Sequence, residues 1–227
     1  MSTVAFRTVF AIYAGMTHLD FTGPHQFLSQ LTNSETLVAS VDGGTVHADG
    51  LAFGDTTRLQ DIDHCDLICV PGGMGATQVA LDATYIGQIK RLGQSAKYVT
   101  SVCTGSLILG AAGFLAGKRA ACHWAWRDLL AVYGATPDTA RVVRDGNVIT
   151  GGGVTAGIDF ALTVLAEIAG EMTAQAIQLG LEYAPAPPFQ AGSPDTAPPE
   201  VLATVLKAME SRAASRKRDV MEAASRI

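Results

Sequence analysis

Charged residues are few, and neither sign dominates. Only 16% of the 227 residues are charged, and 16 basic residues against 21 acidic ones give a formal net charge of −5. So mild a balance does not favour nucleic acid as a partner. Every apolar stretch is also interrupted well short of the ~20 residues that cross a bilayer. We therefore expect neither a nucleic-acid nor a membrane partner.

Cysteine is scarce as well. Its four residues are unevenly spaced and no signal-peptide pattern precedes them, which favours reduced thiols in a cytoplasmic protein without a disulfide framework. No second ligand pair accompanies Cys65 and Cys69 at zinc spacing, and the five histidines are scattered. We expect no metal site.

Apolar residues are plentiful, at 48%, and they occur in short runs that alternate with helical patterns. Strands are predicted at Val4–Tyr13, Leu37–Val41, Asp66–Val70, Tyr98–Val102, Ala120–Cys122 and Val148–Thr150, with a hairpin turn at Asp145–Asn147. Helices are predicted at Phe27–Leu31, Ala80–Leu92, Ser106–Leu115, Trp124–Tyr133 and Ile158–Leu181. This alternation is typical of an α/β protein with a doubly wound, mostly parallel sheet sandwiched by helices.

Proline distribution marks one boundary. Six of the nine prolines fall between Tyr183 and Glu200, where neither a helix nor a central strand can form. We predict a single domain, residues 1–227, with a proline-rich arm at 183–200 and a C-terminal helix at 200–225. The arm and helix are expected to wrap a second subunit in a homodimer. The basic residues of this helix are interpreted as a solvated face: Arg212, Arg216, Lys217 and Arg218.

The clearest candidate for chemistry is Cys103. It directly follows the predicted strand Tyr98–Val102 and precedes a helical pattern, with the small residues Ser101 and Gly105 two positions to either side. This spacing is typical of a nucleophile elbow, a sharp turn that lifts the nucleophile clear of the backbone. A helix N-terminus favours the thiolate, so a lowered thiol pKa is predicted. The other three cysteines are interpreted as structural.

Two further strand-to-helix junctions carry candidate residues. Asp20 lies between apolar residues after the first strand. It is either a helix cap or an acid or base whose pKa is raised by burial near the thiol. Gly72 and Gly73 follow the strand Asp66–Val70. They form either a tight turn or part of an oxyanion hole that presents backbone N–H groups.

Two weaker candidates are His123 and Val154. His123 follows Cys122 and is either a partner of a thiol or a packed histidine at a helix start. Val154 follows three glycines, which allow the next helix to lie close to the nucleophile or simply to pack tightly. Both are taken as candidate substrate- or oxyanion-binding residues, together with Gly72 and Gly73.

The Gly72–Gly73 turn, the Cys103 elbow and Asp20 together resemble the PfpI-like branch of the class I glutamine-amidotransferase-like superfamily, which has a flavodoxin-like fold. Within it, the chain looks like the isonitrile hydratases. The segments that carry this resemblance are 101–106, 123–124, 141–146, 155–160 and 178–194. The first four are shared with the sensor half of AraC-type transcription regulators, whereas 178–194 looks specific to the hydratases. Thr104 stands where protease-like members have a histidine, which disfavours peptidase or glutaminase activity.

The resemblance implies cofactor-free hydration of isocyanides to N-substituted formamides. Cys103 would attack the isocyanide carbon, Asp20 would transfer the protons and activate water, and a thioimidate would link the two steps. Thr104 and the N–H of Gly73 would hold the thiolate or the polar atoms of the intermediate. Two alternatives remain: a glyoxalase- or deglycase-like enzyme acting on α-oxoaldehydes, and a non-enzymatic sensor of ligands or oxidation.

Overall fold

A seven-stranded sheet forms the centre of the molecule in the computed structural model, which describes residues 6–227. Its strands are β1 (Phe6–Ala11), β2 (Ser34–Ser40), β5 (Thr57–Arg58), β6 (Leu67–Val70), β7 (Tyr98–Val102), β10 (Val142–Asp145) and β11 (Val148–Gly151). They lie in the order β10-β11-β7-β6-β1-β2-β5, and only the hairpin β10–β11 is antiparallel. Two small pairs lie outside this sheet: β3 (Val46–Ala48) with β4 (Leu51–Phe53), and β8 (Arg119–Ala120) with β9 (Thr136–Pro137).

Helices cover the sheet, and its central strands are therefore fully buried, as in other parallel sheets. They are α1 (His18–Leu28), α2 (Ala76–Val79), α3 (Ala83–Ser95), α4 (Gly105–Ala111), α5 (Ala156–Ala169), α6 (Glu171–Gly180) and α7 (Pro199–Ala224). Helix α5 packs on α1 and α6, while α4 packs on α3 and α7. The predicted α/β class is confirmed. No helix within residues 6–227 combines the length and apolarity needed to cross a membrane.

Several predicted boundaries are wrong for identifiable reasons. The first helix begins at His18, not at Phe27, and accommodates Pro24 in its interior. The helix predicted over Ile158–Leu181 is interrupted at Gly170, whose φ of +84° belongs to the left-handed region. The helix predicted at Trp124–Tyr133 is instead a 3-10 helix at Arg127–Tyr133. Of the strand predicted at Ala120–Cys122, only Ala120 lies in a strand, β8. Val4 and Ala5, predicted to begin the first strand, lie outside the described residues.

Helix α7 corrects the interpretation of the basic residues. Arg212, Lys217 and Arg218 are exposed as predicted, but Arg216 is only 4% exposed. The remaining buried residues of α7 are Val220 and Ala223, so the fully buried side chains of this helix all lie in its second half. Arg216 therefore belongs to the interior and not to the solvated face.

Candidate active site

The turn at Cys103 has the predicted sharp geometry. Strand β7 ends at Val102, helix α4 begins at Gly105, and Cys103 between them has a φ of +60°, which is strained for a residue with a side chain. The Cys103 N–H holds this turn by donating to the carbonyl oxygens of Gly151 and Gly152, at 3.0 and 2.8 Å. A Cβ at Gly105 would lie 2.1 Å from the carbonyl oxygen of Val70, so this position admits no side chain.

Asp20 lies in the first turn of α1 and is fully buried. Its Oδ2 accepts a hydrogen bond from the Gly72 N–H at 2.9 Å, and its carboxyl group interacts with the Cys103 thiol. Oδ1 has no nitrogen or oxygen partner among the described residues. The helix-cap alternative is wrong, since α1 starts after Thr17 and has no side-chain cap.

Burial sets the pKa of the Asp20 carboxyl group. Loss of hydration disfavours the carboxylate and raises the pKa of Asp20 to about 7, against the opposing effects of the hydrogen bonds with Cys103 and Gly72. Asp20 therefore changes protonation state near neutral pH, where a general acid or base is most effective.

The predicted lowering of the Cys103 pKa is wrong. Burial, followed by electrostatic interaction with Asp20 and Cys122, raises the pKa of this thiol well above its ordinary value. Backbone N–H groups of Thr104 and Val154 lower it, but they do not compensate. Cys103 consequently rests as a thiol and needs a base to become nucleophilic.

A set of close contacts joins Gly72, Gly73 and Thr104 next to Asp20 and Cys103. The Gly73 N–H donates to Thr104 Oγ1 at 2.9 Å, and the Thr104 hydroxyl lies 3.2 Å from the Gly73 carbonyl oxygen. Both glycine N–H groups are thus engaged, one with Asp20 and one with Thr104. The expectation that the Gly73 N–H holds the thiolate or intermediate is not met in this structure. A Cβ at Gly72 would approach the Thr104 nitrogen to 2.4 Å, so glycine is needed here.

Val154 and His123 line one cavity, and only Val154 contacts the thiol. The Val154 N–H reaches Cys103, and Val154 and His123 line a cavity of about 430 Å³. His123 Nδ1 accepts from the Ala125 N–H at 3.2 Å, and its ring stacks on Trp124. Burial and the charge of Arg216 lower the pKa of His123. No hydrogen bond joins it to Cys103 or Asp20 in the part of the chain described.

Two contributors to this region were missed by the sequence reasoning. Residues 192–195 of the proline-rich arm form one wall of the same cavity. Arg216 donates to the carbonyl oxygens of Gly73 and Met74. Nothing in the local sequence distinguishes a buried arginine from the exposed basic residues next to it in this helix. Across residues 6–227, no group of three or more His, Cys, Asp or Glu side chains is placed to hold a metal ion.

Comparison with known proteins identifies the family of this chain. Residues 7–167 match the DJ-1/PfpI family. An isonitrile hydratase of Pseudomonas putida is 50% identical over 200 residues, 88% of each chain. A crystal structure of a THiJ/PfpI family protein from Pseudomonas syringae has 40% identity and a TM-score of 0.91, covering 97% of this chain and 90% of that one. The HTH-type transcriptional regulator CdhR of Pseudomonas aeruginosa is 30% identical over 142 residues, 60% of this chain and 41% of the regulator. The chain belongs to the DJ-1/PfpI family.

Proposed function

We propose that the protein hydrates isocyanides to N-substituted formamides, with Cys103 as the nucleophile. The observation that carries the proposal is the pairing of a buried thiol with a fully buried carboxyl group whose Oδ1 is left without an oxygen or nitrogen partner among the described residues. Such an oxygen is available to take up a proton and then to orient water. Identity of 50% to an isonitrile hydratase over 88% of the chain supports the substrate class.

The first step forms a covalent bond. Asp20 carboxylate accepts the thiol proton as the sulfur attacks the terminal carbon of the isocyanide, and the resulting carboxylic acid returns that proton to the same carbon. The product is a thioimidate, Cys103 Sγ–CH=N–R, and Asp20 is again a carboxylate. One difficult addition is thereby divided into two easier steps.

Water enters in the second step. Asp20 takes one proton from water as the water oxygen attacks the thioimidate carbon, and it passes that proton to the nitrogen to give the tetrahedral intermediate Cys103 Sγ–CH(OH)–NHR. The C–S bond then breaks, the hydroxyl proton passes to Asp20 as the carbon–oxygen double bond forms, and the N-substituted formamide leaves. The departing thiolate regains a proton from Asp20, which restores the starting state. The balance requires one isocyanide and one water, with no cofactor.

Backbone donors support the charged sulfur in both steps. The N–H groups of Thr104 and Val154 point at Cys103 and favour its thiolate. Gly72 and Gly73 act indirectly, because their N–H groups hold Asp20 and Thr104 in place. The cavity beside Val154 and His123 is proposed to receive the substituent of the isocyanide.

Product analysis tests this function directly. Purified protein is incubated with one alkyl and one aryl isocyanide, and the corresponding formamides are quantified by mass spectrometry. Absence of formamide would reject the proposal. Lactate released from methylglyoxal would instead support the α-oxoaldehyde alternative. Peroxide-sensitive Cys103 without either turnover would favour the sensor.

Hydration should become faster as the pH rises through about 7. The carboxylate form of Asp20 is required to accept the thiol proton, and burial raises the pKa of Asp20 to about 7. We therefore expect kcat/KM to increase roughly tenfold per pH unit on the acidic side and to level off above about 7. A pH-independent kcat/KM between pH 5 and 8 would contradict this role for Asp20.

We further propose a cytoplasmic, single-domain protein that pairs through its C-terminal region. In the first half of α7, Val201 and Leu206 are 42% and 48% exposed. Leu206, Met209 and Trp126 line a surface cavity of about 560 Å³. Exposed apolar surface of this kind typically mediates association. Light scattering should give twice the mass of one chain, and Leu206→Glu should shift the protein towards monomer. A monomeric wild-type protein would remove this proposal.

A further inference from the structure

Helix α7 carries a positive charge into the interior at Arg216. This side chain is only 4% exposed, and its Nη2 donates to the carbonyl oxygens of Gly73 and Met74, both at 3.4 Å. Its guanidinium carbon lies 4.6 Å from the centre of the Trp126 ring. No carboxylate within residues 6–227 forms an ion pair with it. Burial of an unpaired charge is costly and needs a reason.

The groups that face Arg216 suggest that reason. Its charge interacts with three acidic groups on other elements, namely Cys103, Cys122 and Tyr13. On its own helix the neighbouring charge is Arg212, and its charge also lowers the pKa of His123. The two thiols and the phenol are neutral in the resting protein, so the guanidinium lacks a permanent counter-charge among them. A thiolate at Cys103 would supply one.

The same helix also holds the backbone beneath the site. Asp219 accepts hydrogen bonds from Thr77 and Gln78, and Arg226 donates to the Leu81 carbonyl oxygen. Arg216 engages the beginning of this segment at Gly73, whose carbonyl oxygen also accepts from the Thr104 hydroxyl. The guanidinium and the hydroxyl group of Thr104, the residue directly after Cys103, thus share the Gly73 carbonyl oxygen as an acceptor.

We propose that Arg216 is a positioning residue of the reaction, which fixes the Gly73–Met74 backbone against Thr104 and favours the charged form of Cys103. This inference rests on the proposed function only in taking Cys103 as the reacting thiol. A purely structural arginine would anchor the loop equally well in either protonation state of Cys103. An electrostatic role makes the pH dependence of thiol reactivity sensitive to its charge.

The test treats the protein with iodoacetamide for a fixed time at each pH between 6 and 11 and quantifies the Cys103 peptide by mass spectrometry. The alkylation midpoint is the pH at which half of this peptide is alkylated. Arg216→Met removes the charge, Arg216→Lys retains it, and Arg218→Met is the matched control on the exposed side of the same helix. Loss of one unit charge near the thiol should move the alkylation midpoint upward by about one pH unit and slow alkylation about tenfold below it. Arg216→Lys and Arg218→Met should keep the wild-type midpoint.

An unchanged midpoint in folded Arg216→Met would overturn the electrostatic role. Should that variant fail to fold, Arg216→Gln replaces it, because the amide still donates to the Gly73 and Met74 carbonyl groups without a charge. A wild-type midpoint in Arg216→Gln would be equally decisive. Formamide production is followed separately: a shifted midpoint in a protein that makes no formamide would reject the proposed function and leave this inference intact.

Discussion

Cys103→Ala should lose formamide production completely, with kcat/KM falling by about 10⁴-fold or more. Alanine cannot form the covalent bond to the isocyanide carbon. Intact-protein mass spectrometry should show a substrate-sized adduct on the wild-type chain during turnover and none on the variant. The adduct should map to the peptide containing Cys103.

A second cysteine variant serves as the matched control. Cys65 is also a buried free thiol, but it precedes β6 and makes no contact with Asp20 or Thr104. Cys65→Ala should therefore retain nearly wild-type turnover at a temperature where both variants are folded. Formamide production by Cys103→Ala at the rate of the Cys65→Ala control would refute the covalent mechanism.

Asp20→Asn should separate activity from stability. An amide cannot accept the thiol proton or deliver it to carbon, so we expect turnover to fall by about 10²–10⁴-fold. The amide oxygen of the new side chain can still accept the hydrogen bond from the Gly72 N–H. The fold should therefore be kept, as circular dichroism and thermal unfolding would show. Turnover close to wild type would exclude proton transfer by Asp20.

The same variant should gain stability relative to wild type as the pH rises. The folded-state pKa of Asp20 is raised from 3.8 to about 7, so the stability linked to its protonation is fully present below about pH 4. That stability is lost as the pH rises through about 7, whereas asparagine stays neutral. Relative to wild type, the free energy of unfolding of Asp20→Asn should increase between pH 4 and 8 by about 2–4 kcal/mol. Denaturant unfolding at both pH values measures this difference, and a constant offset would contradict the raised pKa.

Features that depend on residues close together in the chain could be predicted from the sequence. The apolar runs before Cys103 and Val154 are strands because they are short, bounded by small residues and buried on both faces. The sharp turn at Cys103 follows from its small flanking residues. Helix boundaries were predicted less well where Pro24 occurs inside a helix and Gly170 separates two.

Long-range features could not be obtained in this way. The lowered thiol pKa was predicted from a helix N-terminus alone, but the loss of hydration at Cys103 and the charge of Asp20 outweigh it. Asp20 and Gly72 are joined by tertiary structure across 52 positions. Arg216 is separated from Gly73 by 143 positions, and nothing in its local sequence distinguishes it from the exposed Arg218.

Helix α7 limits how far this protein can be truncated at its C-terminal end. The family match ends at residue 167, and a fragment cut there would retain the central strands, Cys103 and Asp20. It would lack the hydrogen bonds that the helix makes to residues 73–81. We therefore expect a fragment that ends at residue 167 to be less stable than the full chain, and a graft of this site onto another scaffold to need a substitute for the last helix.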